Sequence, residues 1–341
     1  MPRTILPDAR VSPRFAGIST FCRYPRLEDV APENRPIDWA LLGVPFDGGV
    51  TFRSGARFGP RAVRDASQYV KRFHLGHNVD VCDALSLCDA GDAPIAPFSI
   101  EGTHELVCEF AERTAAACAA GGKTVSARPP RLLAIGGDHS LAEPMIAAAF
   151  ERAGRPSGGI ALVHVDAHLD TVDSLWGEKH SHGSAFRRVI EEGWVDAKSM
   201  LSLGVRGPLN AAGDMDFARA CGMTVVPCDE LAGSGGVTDS HGLRLDPVRE
   251  FVARVGQRAV YVTFDIDVVD PAFAPGTGTP NPGGLASRQA LALVRALRGI
   301  NLIGADVVEV LPDRDPTGIT ALLAAHVAFE ILALDAVSAG K

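Results

Sequence analysis

Residues 160–170 read Ile-Ala-Leu-Val-His-Val-Asp-Ala-His-Leu-Asp, an apolar run that ends in three alternating polar side chains. A run this apolar favours a strand that is buried on both faces of a sheet. In an extended chain, residues two apart project to the same side, so Asp166, His168 and Asp170 can face one pocket. The stretch therefore predicts a buried parallel strand that carries candidate metal ligands at its carboxyl end.

Two other apolar runs end in the same way. Gly136-Gly137-Asp138-His139-Ser140 follows Leu132–Ile135, and Asp265-Ile266-Asp267 follows Ala259–Phe264. Carboxylates mixed with imidazoles suit Mn²⁺, with Ni²⁺, Fe²⁺, Co²⁺ or Zn²⁺ as alternatives, whereas a structural zinc site would use thiolates. Two ions about 3.5–4 Å apart can activate a shared water, so the implied chemistry is hydrolysis. The predicted two-metal site has six ligands: His139, Asp166, His168, Asp170, Asp265 and Asp267.

Strand-like and helix-like patterns alternate along most of the chain. Strands are predicted at Trp39–Val44, Leu132–Ile135, Ile160–Val165, Met200–Val205, Met223–Val226, Ala259–Phe264 and Leu302–Val310. Helices are predicted at Pro60–Phe73, Ile100–Ala119, Leu141–Arg152, Ala185–Glu192, Pro247–Val255, Ser287–Leu297 and Thr317–Ala336. Because this alternation produces a mostly parallel sheet covered on both faces, we predict the α/β class with a three-layer α/β/α architecture.

Composition bounds the class of protein. With 341 residues, 46% of them hydrophobic, the chain can bury a large core. A net charge of −8 excludes the basic patch that nucleic-acid binding needs. The seven cysteines form no C-x-x-C pair, which favours reduced thiols and a cytoplasmic location.

The distribution of apolar residues along the sequence predicts the domain organisation and argues against membrane attachment. No stretch approaches the roughly 20 apolar residues of a membrane span, and no signal peptide is recognisable at the N-terminus. Residues 1–36 are predicted to be an extension, either disordered or wrapped around a neighbouring subunit, and residues 37–341 a single catalytic domain.

At its ligand clusters the chain resembles the ureohydrolase family, which includes arginase, agmatinase and the guanidino-acid hydrolases. The resemblance rests on the G-G-D-H-S and D-A-H-x-D blocks, on Ser181-His182-Gly183-Ser184 and on the stretch from Phe264 to Pro271. Residues 43–60 look closer to agmatinase-type members than to arginase. The resemblance spans roughly residues 38–337 and implies an arginase-like fold.

The resemblance also implies roles for individual residues. One ion would be held by His139, Asp166, Asp170 and Asp265, and the other by Asp166, His168, Asp265 and Asp267, so that Asp166 and Asp265 bridge the pair. His182 would shuttle protons, which suits a side chain with a pKa of about 6.5. Glu309 would bind the substrate guanidinium, whose planar N–H fork fits a carboxylate. Thr279 is a further candidate substrate contact.

The activity expected from this resemblance is hydrolysis of a small guanidino compound to urea and an amine by an agmatinase-like enzyme with two Mn²⁺ or Ni²⁺ ions. His180, Trp176 and residues 71–77 depart from the agmatinase pattern. The alternatives are therefore guanidine, an N-alkylated guanidine, a biguanide or a guanidino acid as substrate, with nickel more plausible for the first three.

Two other classes remain open, and the resemblance also bears on assembly. The protein could be a weakly catalytic subunit of a mixed oligomer with a paralogous chain. A histone-deacetylase-like hydrolase is a remoter alternative. The resemblance implies a homo-oligomer, a trimer or a hexamer, with no nucleic-acid or membrane partner.

Overall fold

An eight-stranded parallel sheet forms the centre of the protein, for which a computed structural model describes residues 3–120, 128–233 and 238–339. The strands within these residues are β1 Trp39–Val44, β2 Phe73–His74, β3 Val79–Asp80, β4 Leu87–Asp92, β5 Arg131–Gly136, β6 Ile160–Val165, β7 Val195–Leu203, β8 Thr224–Val226, β9 Ala259–Asp265 and β10 Asn301–Val308. The large sheet has the order β4-β1-β5-β10-β9-β6-β7-β8, and β2 and β3 form a separate antiparallel ribbon.

Helices cover both faces of this sheet. Those in the described parts of the chain are α1 Gly59–Ser67, α2 Val81–Ala84, α3 Ile100–Ala119, α4 Ala142–Arg152, α5 Ala185–Glu191, α6 Asp216–Cys221, α7 Cys228–Leu231, α8 Asp246–Val255, α9 Ser287–Ala296 and α10 Ile319–Ala339. Helix α10 packs against α1 and α9, whereas α4 packs against α3 and α5. The predicted three-layer α/β/α architecture is confirmed.

Two hydrophobic cores fill the space between the sheet and its helical layers. Because side chains alternate along a strand, Trp39 and Leu41 of β1 enter one core, whereas Ala40 and Leu42 enter the other. Burial on both faces explains why the central strands read as continuous apolar runs.

The two strands β4 and β10 differ from the sequence prediction. The edge strand β4 was missed because its sequence, Leu-Cys-Asp-Ala-Gly-Asp, carries too little apolar character. Strand β10 ends at Val308, although the apolar pattern predicted it to continue to Val310. Glu309 lies between them with a φ of 64°, which is outside the extended region and ends the strand.

The first helix is shorter than predicted. It was expected to reach Phe73 but ends at Ser67, whose hydroxyl donates to the carbonyl of Arg64 and accepts the N–H of Cys22. Phe73 instead belongs to the ribbon of β2 and β3. A tertiary contact from the N-terminal segment therefore replaces the last turns of the predicted helix.

Residues 3–36 pack on their own chain. Phe21 and Tyr24 are buried in the core on the α10 side of the sheet. The hydroxyl of Thr4 donates to the carbonyl of Leu85 at 2.6 Å. In the described residues, this segment therefore packs against the domain of its own chain.

Helix α10 corrects one expectation about membranes. By length and composition, Ile319–Ser338 could cross a membrane, whereas no such stretch was expected from the sequence. Most of this helix is buried inside the protein, where it packs between α1 and α9. Its apolar character is accounted for by its place in the core.

A buried ion pair fastens α10 to α9, and we expect its loss to destabilise the protein in a pH-dependent way. Glu330 accepts hydrogen bonds from Arg295 and lies 2.7 Å from His74 Nε2. Burial raises the pKa of Glu330, but these two partners outweigh it and lower the pKa below 4.5. The stabilisation is therefore complete above about pH 4.5 and is lost as the pH falls through the lower folded-state pKa.

Replacing Glu330 by Gln should lower the free energy of unfolding at pH 7 by about 1–3 kcal/mol. Below pH 4.5, the free energies of unfolding of the variant and of the unmodified protein should become more similar. Urea unfolding at several pH values measures both. Glu250→Gln, at an exposed position of α8, is the control and should change stability by less than about 0.5 kcal/mol. A pH-independent loss in Glu330→Gln would contradict this account.

Candidate metal centre

The carboxyl ends of four neighbouring strands form the candidate site. These strands follow one another across the sheet as β5-β10-β9-β6, so the residues just after them converge at one edge. Asp265 ends β9, and Glu309 is the first residue after β10. The structure brings to this edge all the predicted ligands: His139, Asp166, His168, Asp170, Asp265 and Asp267.

The first group of ligands surrounds His139. Its Nδ1 atom lies 3.0 Å from Asp166 Oδ2, 3.0 Å from Asp170 Oδ2 and 3.3 Å from Asp265 Oδ2. The imidazole is fully buried, yet this nitrogen makes no hydrogen bond of acceptable geometry. Four potential ligand atoms thus face one point between the ends of β5, β6 and β9.

The hydrogen bonds of His139 fix the role of one of its two ring nitrogens. Nε2 lies 2.7 Å from the hydroxyl of Thr263, and that hydroxyl donates its own proton to Asp306, so Nε2 must carry a proton. Burial lowers the pKa of His139, but the three carboxylates around Nδ1 outweigh burial and raise the pKa well above its usual value. Positive charge is therefore favoured at Nδ1, and a divalent ion could replace the ring proton there, because imidazole nitrogen and carboxylate oxygens are ligands that such ions accept.

A second group shares Asp166 with the first. His168 Nδ1 lies 3.0 Å from Asp267 Oδ2 and 3.4 Å from Asp166 Oδ1. Because Asp166 Oδ2 faces His139 while Oδ1 faces His168, this carboxylate spans both groups. Two sets of side chains are therefore close enough to hold an ion each. The first set is His139, His164, Asp166 and Asp170, and the second is Asp166, His168 and Asp267.

The electrostatics of the cluster also favour bound cations. Burial, together with the charges of Asp267 and Asp166, raises the pKa of Asp265 well above its usual value. Burial likewise raises the pKa of Asp267. Carboxylates this close cannot all be ionised without compensating positive charge, which two divalent ions would supply.

His182 and Glu309 form a hydrogen-bonded pair beside the ligands. His182 Nδ1 lies 3.0 Å from Glu309 Oε1, and its Nε2 accepts the backbone N–H of Thr51 at 3.0 Å. Nδ1 therefore carries the proton and donates to Glu309. Glu309 Oε1 also accepts the N–H of His139, whereas Oε2 is buried without a partner. One carboxylate oxygen is thus held in place and the other is free.

A cavity of about 550 Å³ opens over this edge of the sheet. Asp170, Asp265, His168, His182 and Thr279 line it, and the hydroxyl of Thr279 donates to Asp267 at 3.3 Å. Glu309 contacts His182 but is not among the lining residues. Other lining residues come from loops and from helices α5 and α6, namely Trp176, Arg187, Arg206, Leu209 and Phe217.

Two other histidines support the site or its loops. His164 lies 3.0 Å from Asp166 through Nε2 and 3.0 Å from Ser202 through Nδ1, so it orients the carboxylate of Asp166. His180, in the loop that leads to His182, instead lies 2.9 Å from Glu143.

Gly137 is required by a close approach of two backbones. A Cβ atom at this position would lie 2.2 Å from the carbonyl oxygen of Phe46 and 2.5 Å from that of Val44. The absence of a side chain lets the end of β5 lie against the segment after β1, which places His139 at the sheet edge.

Sequence reasoning missed the chain of hydrogen bonds beneath His139. Tyr261 donates to Asp306 at 2.8 Å, and Thr263 links Asp306 to His139. A signal was present, because Asp306 is an acidic residue inside an apolar strand and Thr263 projects to the same side as Asp265. Burial raises the pKa of Asp306, although its two hydroxyl donors favour the ionised form.

Replacing Thr263 by Val should lower metal affinity about 10- to 100-fold, since the proton of His139 Nε2 would lose its acceptor. Competition with a chromophoric chelator measures this directly. Thr114→Val, at a buried position of α3, is the matched control and should leave affinity unchanged. An affinity for Thr263→Val within twofold of the unmodified protein would exclude this role.

The fold and the clustered carboxylate and imidazole ligands define a hydrolase of the three-layer α/β/α class. The chain belongs to the arginase family, whose profile matches residues 37–334. It is 41% identical over 336 residues to guanidinopropionase from Pseudomonas aeruginosa, covering 98% of this chain and 96% of that protein. It is 36% identical over 326 residues to mitochondrial agmatinase from Gallus gallus, covering 96% of this chain and 88% of that protein.

A solved structure shows the same likeness. Proclavaminate amidino hydrolase from Streptomyces clavuligerus superposes with a TM-score of 0.81 at 38% identity, covering 96% of this chain and all of that one. The predicted ureohydrolase resemblance, including its agmatinase-like character, is confirmed.

Proposed function

We propose that the protein hydrolyses the guanidino group of a small guanidine compound, releasing urea and an amine. The observation that carries the proposal is the unpartnered Nδ1 atom of His139 facing three carboxylates, beside a cavity of about 550 Å³. This arrangement suits an ion rather than a core contact, and the relatives named above act on guanidino compounds by name.

Two divalent ions would be held by the six ligands, with Asp166 and Asp265 shared between them. When bound, such ions lower the pKa of a water molecule and supply the nucleophile of hydrolysis. Mn²⁺ is favoured by four carboxylates and two imidazoles, and Ni²⁺ is the alternative. The chain's own residues then bind the guanidinium and move protons.

Glu309 would bind the guanidinium through its free Oε2 atom. This oxygen is buried and unpartnered, as a charge-assisted hydrogen bond requires, while Oε1 stays anchored to His139 and His182. His182 would deliver a proton to the departing amine. Burial lowers its pKa, but Glu309 outweighs burial and raises the pKa to about 9, which favours a second ring proton at neutral pH. That proton would be held at Nε2, which would give up its hydrogen bond from the Thr51 N–H.

Within this substrate class, a guanidino acid is the second candidate beside agmatine. Arg187 lies in the cavity wall, where it pairs with Glu191 at 2.8 Å and with Asp173 at 3.3 Å. A carboxylate at the far end of a substrate would have to replace one of these two partners. Guanidinopropionase, at 41% identity, supports the same choice. Guanidine, N-alkylated guanidines and biguanides lack that carboxylate.

Urea release tests the proposal. The purified protein, reconstituted separately with Mn²⁺ and Ni²⁺, would be assayed with agmatine, arginine, guanidinopropionate, guanidinobutyrate, guanidine, dimethylguanidine and a biguanide. We expect urea from at least one compound, with agmatine and the guanidino acids as the leading candidates. No urea from any of them, with both ions bound, would overturn the proposal and favour a subunit that needs a catalytic partner.

The remaining features of the proposal concern assembly and location. We propose a homo-oligomer, with pairing to a paralogous chain as the alternative, and a cytoplasmic location, which free thiols at all seven cysteines support. Residues 37–341 would act as one catalytic domain with residues 1–36 as its extension. Light scattering of the purified protein measures the number of subunits.

A further inference from the structure

A second group of metal-binding side chains lies outside the binuclear cluster. His104 of α3, Glu143 of α4 and His180 of the loop before α5 each offer one ligand atom, all within 4.8 Å of one another. We propose that these three residues form a separate site for a single Zn²⁺ ion, which ties the loop carrying His182 to α3 and α4. Two imidazoles, one carboxylate and a water are a ligand set that zinc accepts.

The distances within this group already approach those of a tetrahedral site. Glu143 Oε2 lies 2.9 Å from His180 Nδ1 and 3.8 Å from His104 Nδ1. Ligand bonds of about 2.0–2.1 Å place ligand atoms roughly 3.3 Å apart in a tetrahedron, a value between the two observed distances. To match this value, the 3.8 Å distance would shorten and the 2.9 Å distance would lengthen, each by about 0.5 Å.

The burial of these groups is easier to explain with a cation present. The side chains of Glu143 and His104 are 9% and 11% exposed, and the Nδ1 atom of His104 that faces Glu143 is 3.8 Å from it, beyond hydrogen-bond distance. In the described parts of the chain, the ion pairs of Glu143 within 4 Å are with His104 and His180. A buried carboxylate with only histidine partners lacks a fixed positive charge, which zinc would provide.

Another histidine and glutamate group shows the contrast. Glu330 also lies beside two histidines, His74 and His77, but Arg295 already neutralises it. An ion there would face the guanidinium of Arg295. Glu143 has no arginine or lysine at that distance among the described residues; Arg188 acts on it only from further away.

The protonation of the histidines suits a metal ligand. Burial and the neighbouring His180 lower the pKa of His104 to about 3, so its imidazole is neutral at physiological pH. His180 donates its Nδ1 proton to Glu143 when no ion is bound, and zinc would displace that proton to solvent.

The site would have a mechanical consequence for the proposed reaction. His180 precedes His182 by two residues, and the loop from residue 171 to residue 183 lines the cavity. A zinc ion linking α3, α4 and this loop would restrict its motion. The inference concerns binding and stability, so it stands apart from the proposed hydrolysis.

Metal analysis of the Mn²⁺-loaded protein tests the inference. The protein would be equilibrated with a small excess of Zn²⁺, freed of unbound metal, and analysed for both elements. We expect about one zinc per chain with no loss of manganese. His104→Gln and His180→Gln should each lower zinc affinity at least about tenfold while keeping their manganese. His241→Gln, a histidine outside the group, is the matched control and should bind zinc normally.

The same experiment can overturn the inference. No bound zinc, zinc that appears only in exchange for manganese, or unchanged zinc binding in both variants would each exclude the site. If His104→Gln fails to fold, His180→Gln decides the matter, since this loop side chain is 26% exposed. Zinc should also raise the melting temperature of the unmodified protein and not that of His180→Gln; an equal rise in both would count against the site.

Discussion

Replacing Asp166 by Asn should abolish metal binding at both positions of the binuclear site and lower activity by about 1,000-fold or more. Metal activation of the nucleophile is worth several kcal/mol, and each 1.36 kcal/mol is a factor of ten in rate. The expectation follows from one geometric fact: Oδ2 of Asp166 faces His139 while Oδ1 faces His168. An amide supplies one neutral oxygen in place of two charged ones.

Asp170→Asn is the control that separates bridging from simple ligation. Asp170 faces His139 alone, 3.0 Å away, so its loss should remove about one ion per chain and leave the other. Metal analysis after gel filtration gives both stoichiometries. About two ions per chain in Asp166→Asn, or the same loss in both variants, would contradict the assignment of Asp166 as a bridge.

Replacing Glu309 by Gln should leave both ions in place and lower kcat/KM by about 30- to 4,000-fold. The isosteric amide removes the charge that would bind the guanidinium, and the loss of one partner of a buried charged pair costs about 2–5 kcal/mol. Metal analysis and steady-state kinetics on the same preparation measure the two effects. Near-normal kcat/KM would remove Glu309 as the guanidinium ligand.

A role of Glu309 through His182 alone must be distinguished from direct binding. Oε1 contacts His182 and Oε2 is free, so the two roles belong to different atoms. In His182→Asn the free oxygen keeps its charge, and substrate binding should persist while turnover falls. If Glu309→Gln and His182→Asn change kcat and KM in the same proportions, Glu309 acts by positioning His182.

Local patterns were sufficient to predict the fold class and to select the candidate ligands. Apolar runs such as Ile160–Val165 specify strands buried on both faces, and the carboxyl ends of parallel strands meet at one edge. The alternation of an extended chain was expected to bring Asp166 and His168 to one pocket, but β6 ends at Val165 and both residues follow it in a bend. They lie together because the carboxylate of Asp166 accepts the backbone N–H of His168 at 2.6 Å. The edge strand β4 was missed, since a strand at the rim needs no continuous apolar run.

The sequence by itself determined which residues could hold metal and that they would lie at strand ends, because strand periodicity and short-range spacing are local properties. Only the tertiary structure decided which side chains contact the candidate ligands and the loop beside them. Thr263 meets His139 across 124 residues of sequence, and His180 meets Glu143 across 37. Such pairs depend on which strands and helices become neighbours, and no local pattern encodes that choice. Packing likewise decided that Phe21 of the N-terminal segment is buried and that only one oxygen of Glu309 is free.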